Sequence, residues 1–276
     1  MDLASEIERN VAAALAEDVG DGDATAPLTP AGKPVRAAVT CRQDAVVCGQ
    51  PWFDACFHKL DPKAEIRWTV TEGTQVKAGA RVCTVSGEAR ALLAAERSAI
   101  NFLQTLSAVA TATRRLVDAT AGTRARIVDT RKTLPGLRYA QKYAVRTGGG
   151  ANHRMGLYDA MLIKENHIAA AGGVRNALAQ AAKAARAGVW VQIEVETLDQ
   201  LREALDAGAA MILLDNMSVG TMTEAVKIAG DRAELEASGG ITLDNVRAIA
   251  ETGVHRISSG ALTKDVKAVD FSMRFE

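Results

Sequence analysis

Hydrophobic positions recur with two different rhythms along this chain. In MDLASEIERNVAAALAEDVG, Ile7, Val11, Ala14 and Leu15 fall on one helical face, and Ser5 with Glu8 has capping-box spacing. The turn-rich stretch GDGDATAPLTPAGKP follows. Short apolar runs then predict strands in VRAAVTC (35–41), AVVCG (45–49), EIRWTV (65–70) and ARVCTVSG (80–87), with a helix in WFDACFHKL (52–60). Strands clustered around few helices indicate an α+β module. AERSAINFLQTLSAVATATRRLVDAT (95–120) contains neither Pro nor Gly and predicts one long helix, or two abutting ones, leading into a second module.

From residue 126 strands and helices alternate. RIVD (126–129), AMLIK (160–164), VWVQIEVE (189–196), AMILLD (210–215), AELEAS (233–238) and HRISS (255–259) read as strands, with amphipathic helical stretches between them. Such alternation indicates parallel βα units. An open doubly wound sheet has the same rhythm. The absence of a GxGxxG fingerprint after the first strand favours a barrel.

Composition narrows the partners. Lys and Arg equal Asp and Glu in number and 48% of residues are hydrophobic, so a large core is available and broad nucleic-acid or anionic-membrane binding is disfavoured. No apolar run approaches a membrane span, and the amino-terminal stretch lacks the basic start and apolar run of a secretory signal. The four cysteines, Cys41, Cys48, Cys56 and Cys83, form no CxxC pair and read as free thiols of a reducing cytoplasm.

Charge is nevertheless uneven. Between Asp129 and His167 there are seven Lys or Arg against three acids, concentrated in DTRKTLPGLR, GGGANHR and LIKENH. The predicted strands end in Asp129, Lys164, Glu194, Asp215, Ser238 and Ser259, and a parallel barrel gathers such ends around one mouth. Any one of them could instead cap the following helix. Glu194 and Asp215 suit Mg²⁺, which takes one or two protein carboxylates and completes its shell with water and phosphate oxygens. Zinc is disfavoured by the lack of His/Cys spacing. Arg131, Lys132, His153 and Arg154 offer bidentate and point-charge partners for carboxylate or phosphate. SGG (238–240) and SSGA (258–261), each followed by a predicted helix, are candidate phosphate turns. Together these residues indicate a barrel enzyme acting on a phosphorylated, carboxylate-bearing ligand.

The blocks EDVGDGDAT, AERSAINFLQTLSAVAT, DTRKTLPGLR, GGGANHRMGLYDAMLIKENH, EVE, ILLDN, SGGI and GALTKDVKAVDFSM make the chain resemble the quinolinate phosphoribosyltransferases over nearly its whole length. The resemblance implies an α/β fold with an N-terminal α/β sandwich, residues 1–110, and a C-terminal open α/β barrel of parallel strands, residues 111–276. The tail from about 266 is a candidate to pack back on the sandwich. It implies transfer of phosphoribosyl from 5-phosphoribosyl-1-pyrophosphate to quinolinate with decarboxylation, Mg²⁺ as cofactor, and a homodimer or assembly of dimers. Arg97, Thr130, Arg131, His153, Arg154 and Lys164 would hold quinolinate, Arg97 in the site of the neighbouring subunit. Lys132, Glu194 and Asp215 would be catalytic, the two carboxylates serving the metal. Lys132, Ser238, Gly239, Gly240, Ser259, Gly260, Ala261 and Lys264 would hold phosphoribosyl pyrophosphate. Lys264 stands where some members have His, and Ser259 where many are apolar, so only the Ser259 backbone is carried over. The rival readings are a nicotinate phosphoribosyltransferase without decarboxylation and a Schiff-base lyase using Lys164.

Overall fold

A computed structural model describes residues 2–276. Its contacts divide into two units, one comprising the chain up to Arg114, Leu134–Gly149 and Asp265–Glu276, the other Arg115–Thr133 and Gly150–Lys264. Residues 134–149, which the alternating rhythm assigns to the barrel, group with the first unit. The chain runs α1 (Leu3–Val19), β1 (Pro34–Cys41), β2 (Ala45–Val46), α2 (Gln50–Leu60), β3 (Glu65–Trp68), β4 (Gln75–Val76), β5 (Arg81–Glu88) and α3 (Ala89–Ala119). It continues β6 (Arg126–Val128), α4 (Arg138–Thr147), β7 (Ala160–Ile163), α5 (Glu165–Ala171), α6 (Val174–Ala184), β8 (Trp190–Val195) and α7 (Leu198–Asp206). The last elements are β9 (Met211–Asp215), α8 (Val219–Ala229), β10 (Glu234–Ser238), α9 (Val246–Glu251), β11 (Arg256–Ser258), α10 (Ala261–Lys264) and β12 (Phe271–Phe275).

Local chemistry settles several details of the first unit. The expected Ser5–Glu8 capping box gives way to Asp2, whose carboxylate accepts the Ser5 N–H at 2.8 Å. Asp2 immediately precedes the first helical residue, which is where a short acceptor caps best. The strands form an antiparallel sheet in the order β12-β1-β5-β3. β12 lies beyond the last strand expected from the sequence, with Phe271 and Met273 buried and Phe271 paired with Cys41. Trp52, Phe53 and Phe57 on α2 are fully buried, and the Trp52 indole N–H donates to Asn10 Oδ1 at 3.0 Å. The triple glycine also has a packing role. A side chain at Gly148 would put its Cβ 2.5 Å from the Ala110 carbonyl oxygen of α3, while Gly149, at φ 93°, turns the chain out of α4.

The thiols of Cys41, Cys48, Cys56 and Cys83 are buried and unpaired. Burial raises all four, Cys56 to about 12. The thiolate is the reactive form. Iodoacetamide at mildly alkaline pH is therefore expected to leave the native protein unmodified by mass spectrometry, while alkylating all four thiols in the denatured chain.

In the second unit all neighbouring strands are parallel, in the order β6-β11-β10-β9-β8-β7. β6 and β7 are the unpaired edges, so the sheet is open. One face carries Ile127, Ile193, Val195, Ile212, Leu214, Leu235, Ala237 and Ile257, nearly all fully buried. Alternate positions put Gln192, Glu194, Asp215, Glu236, Ser238, Arg256 and Ser258 on the other face. Contacts across that polar face show the curl. Ala151 bridges to Val128 beside β6, yet the ring of His153 reaches Gln192 on β8 at 3.0 Å, with three strands intervening in the sheet order. This is an open α/β barrel with a polar interior.

Candidate active site

Residues following β6 build one wall of the barrel mouth. Asp129 is fully buried and accepts hydrogen bonds from the Asn152 side chain and from the His153 N–H, the latter at 2.9 Å. With Ala151 N–H donating to the Ile127 carbonyl at 2.8 Å, these contacts lay 151–153 alongside β6. Arg154 follows, only 6% exposed, with Nη1 donating to the Ala160 carbonyl at 3.0 Å. Its guanidinium pKa is lowered by burial and by the positive charge of Arg131. Two neighbouring cations, one almost dry, make a corner that an anion with two negative groups would stabilise. Asp159 accepts the N–H groups of Met155 and Gly156 at 2.7 and 2.9 Å, fixing the loop back into β7.

Lys132 stands on the loop after β6 and is exposed. The Thr130 hydroxyl accepts the Lys132 N–H at 3.1 Å, and Thr263 Oγ1 donates to the Lys132 carbonyl at 2.7 Å. Thr130 thus shapes the loop that presents Lys132. A side chain at Gly260 would put its Cβ 2.9 Å from Lys132 Cδ. Lys132 is exposed and its side chain is flexible, so the stem could swing aside at little cost.

The ends of β7, β8 and β9 carry Lys164, Glu194 and Asp215. Lys164 Nζ lies 3.3 Å from Glu194 Oε2. Burial raises the Glu194 carboxyl pKa and the charge of Asp215 adds to the rise, while Lys164 opposes it. Asp215 accepts from Asn216 Nδ2 at 2.8 Å. Among the described residues no group of three or more His, Cys, Asp or Glu is arranged to hold a metal ion. The donor set is thus two carboxylates, which fits a cation that takes most of its oxygens from water and substrate.

The two small-residue turns differ from a helix-start arrangement. After Ser238, Gly239 and Gly240 adopt φ 99° and 59°, and α9 begins only at Val246. Asn245 pins this turn, donating to the Gly240 carbonyl at 2.8 Å and accepting the Thr242 N–H at 2.9 Å. Successive left-handed glycines make an anion-binding concavity without a helix. At the other turn the Ser259 N–H is given to the Val128 carbonyl at 3.1 Å, so its amide is committed to the sheet rather than to a ligand. Gly260 and Ala261 follow it into the single turn of α10, where Lys264 is exposed.

Two further predicted site residues are Arg97 and His153. Arg97 is exposed on α3, within the first unit. His153 is 8% exposed, and both its ring nitrogens meet protein groups, Nδ1 the Arg154 N–H at 2.8 Å and Nε2 Gln192 Oε1 at 3.0 Å. The patterning had also passed over Asn152, Asn216, Gln192 and Glu236. Asn216 is the one non-glycine at positive φ among the described residues, at 53°, and its N–H donates to the Ser238 carbonyl at 3.0 Å. Its signal was the Asp-Asn pair ending a buried strand, since Asn tolerates left-handed backbone.

Comparison with known proteins gives a consistent result. Residues 23–107 match the N-terminal domain of quinolinate phosphoribosyl transferase, and residues 109–274 match its C-terminal domain. A probable nicotinate-nucleotide pyrophosphorylase [carboxylating] of Bacillus subtilis is 41% identical over 257 residues, covering 93% of this chain and 89% of its own. Quinolinate phosphoribosyltransferase [decarboxylating] 1 of Nicotiana glauca is 40% identical over 283 residues, covering 95% of this chain and 80% of its own. The solved nicotinate-nucleotide pyrophosphorylase of Francisella tularensis superposes with a TM-score of 0.96 at 42% identity, covering 100% of this chain and 98% of the other.

Proposed function

The chain belongs to the quinolinate phosphoribosyltransferase family, and from that premise we propose how its residues divide the reaction. The enzyme transfers phosphoribosyl from 5-phosphoribosyl-1-pyrophosphate to quinolinate, releasing pyrophosphate and carbon dioxide and leaving nicotinate mononucleotide. The observation that carries the division is that Arg131 lies close enough to the buried Arg154 to lower its pKa, while Asp215 lies close enough to Glu194 to raise the Glu194 pKa.

Arg131 and Arg154 hold the quinolinate carboxylates, with Lys164 on the same substrate and His153 supporting Arg154 from within the barrel. The ring nitrogen, oriented by these contacts, attacks the anomeric carbon as its bond to pyrophosphate breaks. Positive character grows on the ribose and negative charge on the leaving pyrophosphate. Lys132 neutralises part of that charge, and fixed charges act strongly because they need not reorganise. Glu194 and Asp215 hold Mg²⁺, which when bound supplies further charge neutralisation at the pyrophosphate. Ser238, Gly239, Gly240, Gly260 and Ala261, with Lys264 nearby, bind the 5-phosphate. Once the ring nitrogen is quaternary, its positive charge stabilises the electron pair left on the adjacent carbon as that carboxylate departs as carbon dioxide, and the carbon then takes up a proton from water. Positioning and electrostatics supply the rate, and no side chain need act as a dedicated acid.

Arg97 reaches the site of a second copy in a homodimer or assembly of dimers, a reading supported by its exposure on α3 and by the family blocks around it. Four unpaired thiols support a reducing compartment, the cytoplasm. No helix among the described residues is long and apolar enough to cross a membrane. A Schiff-base role for Lys164 is disfavoured because that lysine is exposed and ion-paired, where such chemistry needs a dry pocket.

The division is tested by steady-state kinetics on Lys132→Met. Removing the Lys132 charge is expected to raise KM for phosphoribosyl pyrophosphate roughly tenfold, with KM for quinolinate little changed. An equal rise in both constants would contradict separate subsites.

A further inference from the structure

Beneath the mouth lies a buried polar tier that the catalytic reading leaves unused. Gln192 and Glu236 are each 1% exposed. The Gln192 side chain sits between two partners, with Oε1 3.0 Å from His153 Nε2 and Nε2 donating to Glu236 Oε2 at 3.1 Å. Glu236 Oε2 is also 3.2 Å from Arg256 Nε, and the Arg256 guanidinium lies 5.9 Å from the Trp190 ring centroid. Trp190 in turn meets the His153 ring edge-on at 5.1 Å. The tier therefore surrounds the imidazole on several sides.

These contacts specify protons as well as positions. The Arg154 N–H points at His153 Nδ1, so Nδ1 accepts and the proton of the neutral ring resides on Nε2. That proton requires an acceptor, which Gln192 Oε1 supplies. The amide orientation this demands turns the Gln192 NH₂ group toward the Glu236 carboxylate, where it is also required. A reversed amide would set a donor against a donor at His153 and an acceptor against a carboxylate at Glu236. Only one amide orientation satisfies both His153 Nε2 and Glu236 Oε2, and buried polar groups left unsatisfied are costly. The chain Glu236–Gln192–His153 ends on the main chain of Arg154, while Asp129 holds the His153 N–H from the other side.

We propose that Gln192 is a positioning residue for quinolinate, fixing the His153 tautomer and through it the backbone from which Arg154 reaches the substrate. The proposal rests on the assignment of Arg154 to the quinolinate carboxylates. Gln192 touches no substrate; its effect passes through His153.

Two readouts separate this role from general support of the fold. Replacing Gln192 by Met keeps the side-chain length but removes the acceptor. Gln192→Met is expected to raise KM for quinolinate about tenfold while kcat and KM for phosphoribosyl pyrophosphate change by less than about threefold. The exchange Gln192→Glu with Glu236→Gln restores an acceptor for the Nε2 proton without setting two carboxylates together, and is expected to recover most of the loss. Long-range ¹H–¹⁵N NMR of the histidine rings, with His153 assigned by its loss in His153→Gln, reads the tautomer without turnover. Wild type should show the Nε2–H form and Gln192→Met should lose it. An unchanged tautomer in Gln192→Met, or equal damage to all kinetic constants without rescue by the Gln192→Glu and Glu236→Gln exchange, overturns the proposal. A changed tautomer with unchanged KM for quinolinate would overturn the role in substrate positioning, whereas the link from Arg154 to quinolinate falls only if Arg154→Met also leaves KM for quinolinate unchanged.

Discussion

Replacing Glu194 by Gln and Asp215 by Asn together is expected to abolish Mg²⁺-dependent turnover, with kcat falling by at least about 10³-fold. The amides keep the shape of the side chains and remove both negative charges. Neither is a good enough ligand for a cation that depends on charge, and no other cluster of His, Cys, Asp and Glu among the described residues could substitute. The fold should survive. Burial raises the Glu194 pKa, which means the folded state disfavours the ionised form. The stability lost to that carboxylate above its folded pKa returns when the charge is removed, so the melting temperature should hold or rise. A single variant could retain partial activity through the remaining carboxylate, which is why the pair is the decisive change. Turnover of the double variant at the wild-type rate would remove the metal from these carboxylates.

Arg131→Ala is expected to lower kcat/KM for quinolinate by about 10²-fold, because truncating one partner of a charge pair in a partly desolvated site costs about 2–5 kcal/mol. KM for phosphoribosyl pyrophosphate should change by less than about threefold if the two sets of residues serve different substrates. Arg154→Met should be at least as severe, since Arg154 is the more buried of the two and its guanidinium already bears the cost of desolvation. In Arg131→Ala the repulsion on Arg154 is relieved, so the apo protein is not expected to be destabilised. Near-wild-type kcat/KM for quinolinate would exclude Arg131 from the carboxylate site.

The strand–helix rhythm after residue 126 was legible because the outward positions of every barrel strand, such as Ile193, Ile212 and Ile257, form short apolar runs with the residues beside them. The charged strand ends stood out for the same reason, Asp215 closing MILLD and Glu194 interrupting a buried run. The inward tier was harder to see. Gln192, Glu236 and Arg256 look like solvent-facing alternation when each strand is read alone, and only closure of the sheet turns that face into an interior. Phosphate turns posed a different difficulty. SGG and SSGA have similar composition, yet one is a left-handed glycine turn pinned by Asn245 and the other lends its first amide to the sheet. β12 was missed because its partner, β1, lies at the far end of the chain. Pairing over such a separation leaves no local pattern beyond a short alternation.

The central claim is that the basic corner is built for a pyridine dicarboxylate and that transfer is coupled to loss of one carboxylate. Purified enzyme should be incubated with phosphoribosyl pyrophosphate, Mg²⁺ and, in parallel, quinolinate, nicotinate or nicotinamide, with mononucleotide and released carbon dioxide both quantified. The account predicts nicotinate mononucleotide and carbon dioxide in equal amounts from quinolinate and no comparable product from the other two. Turnover of nicotinate but not quinolinate would contradict it.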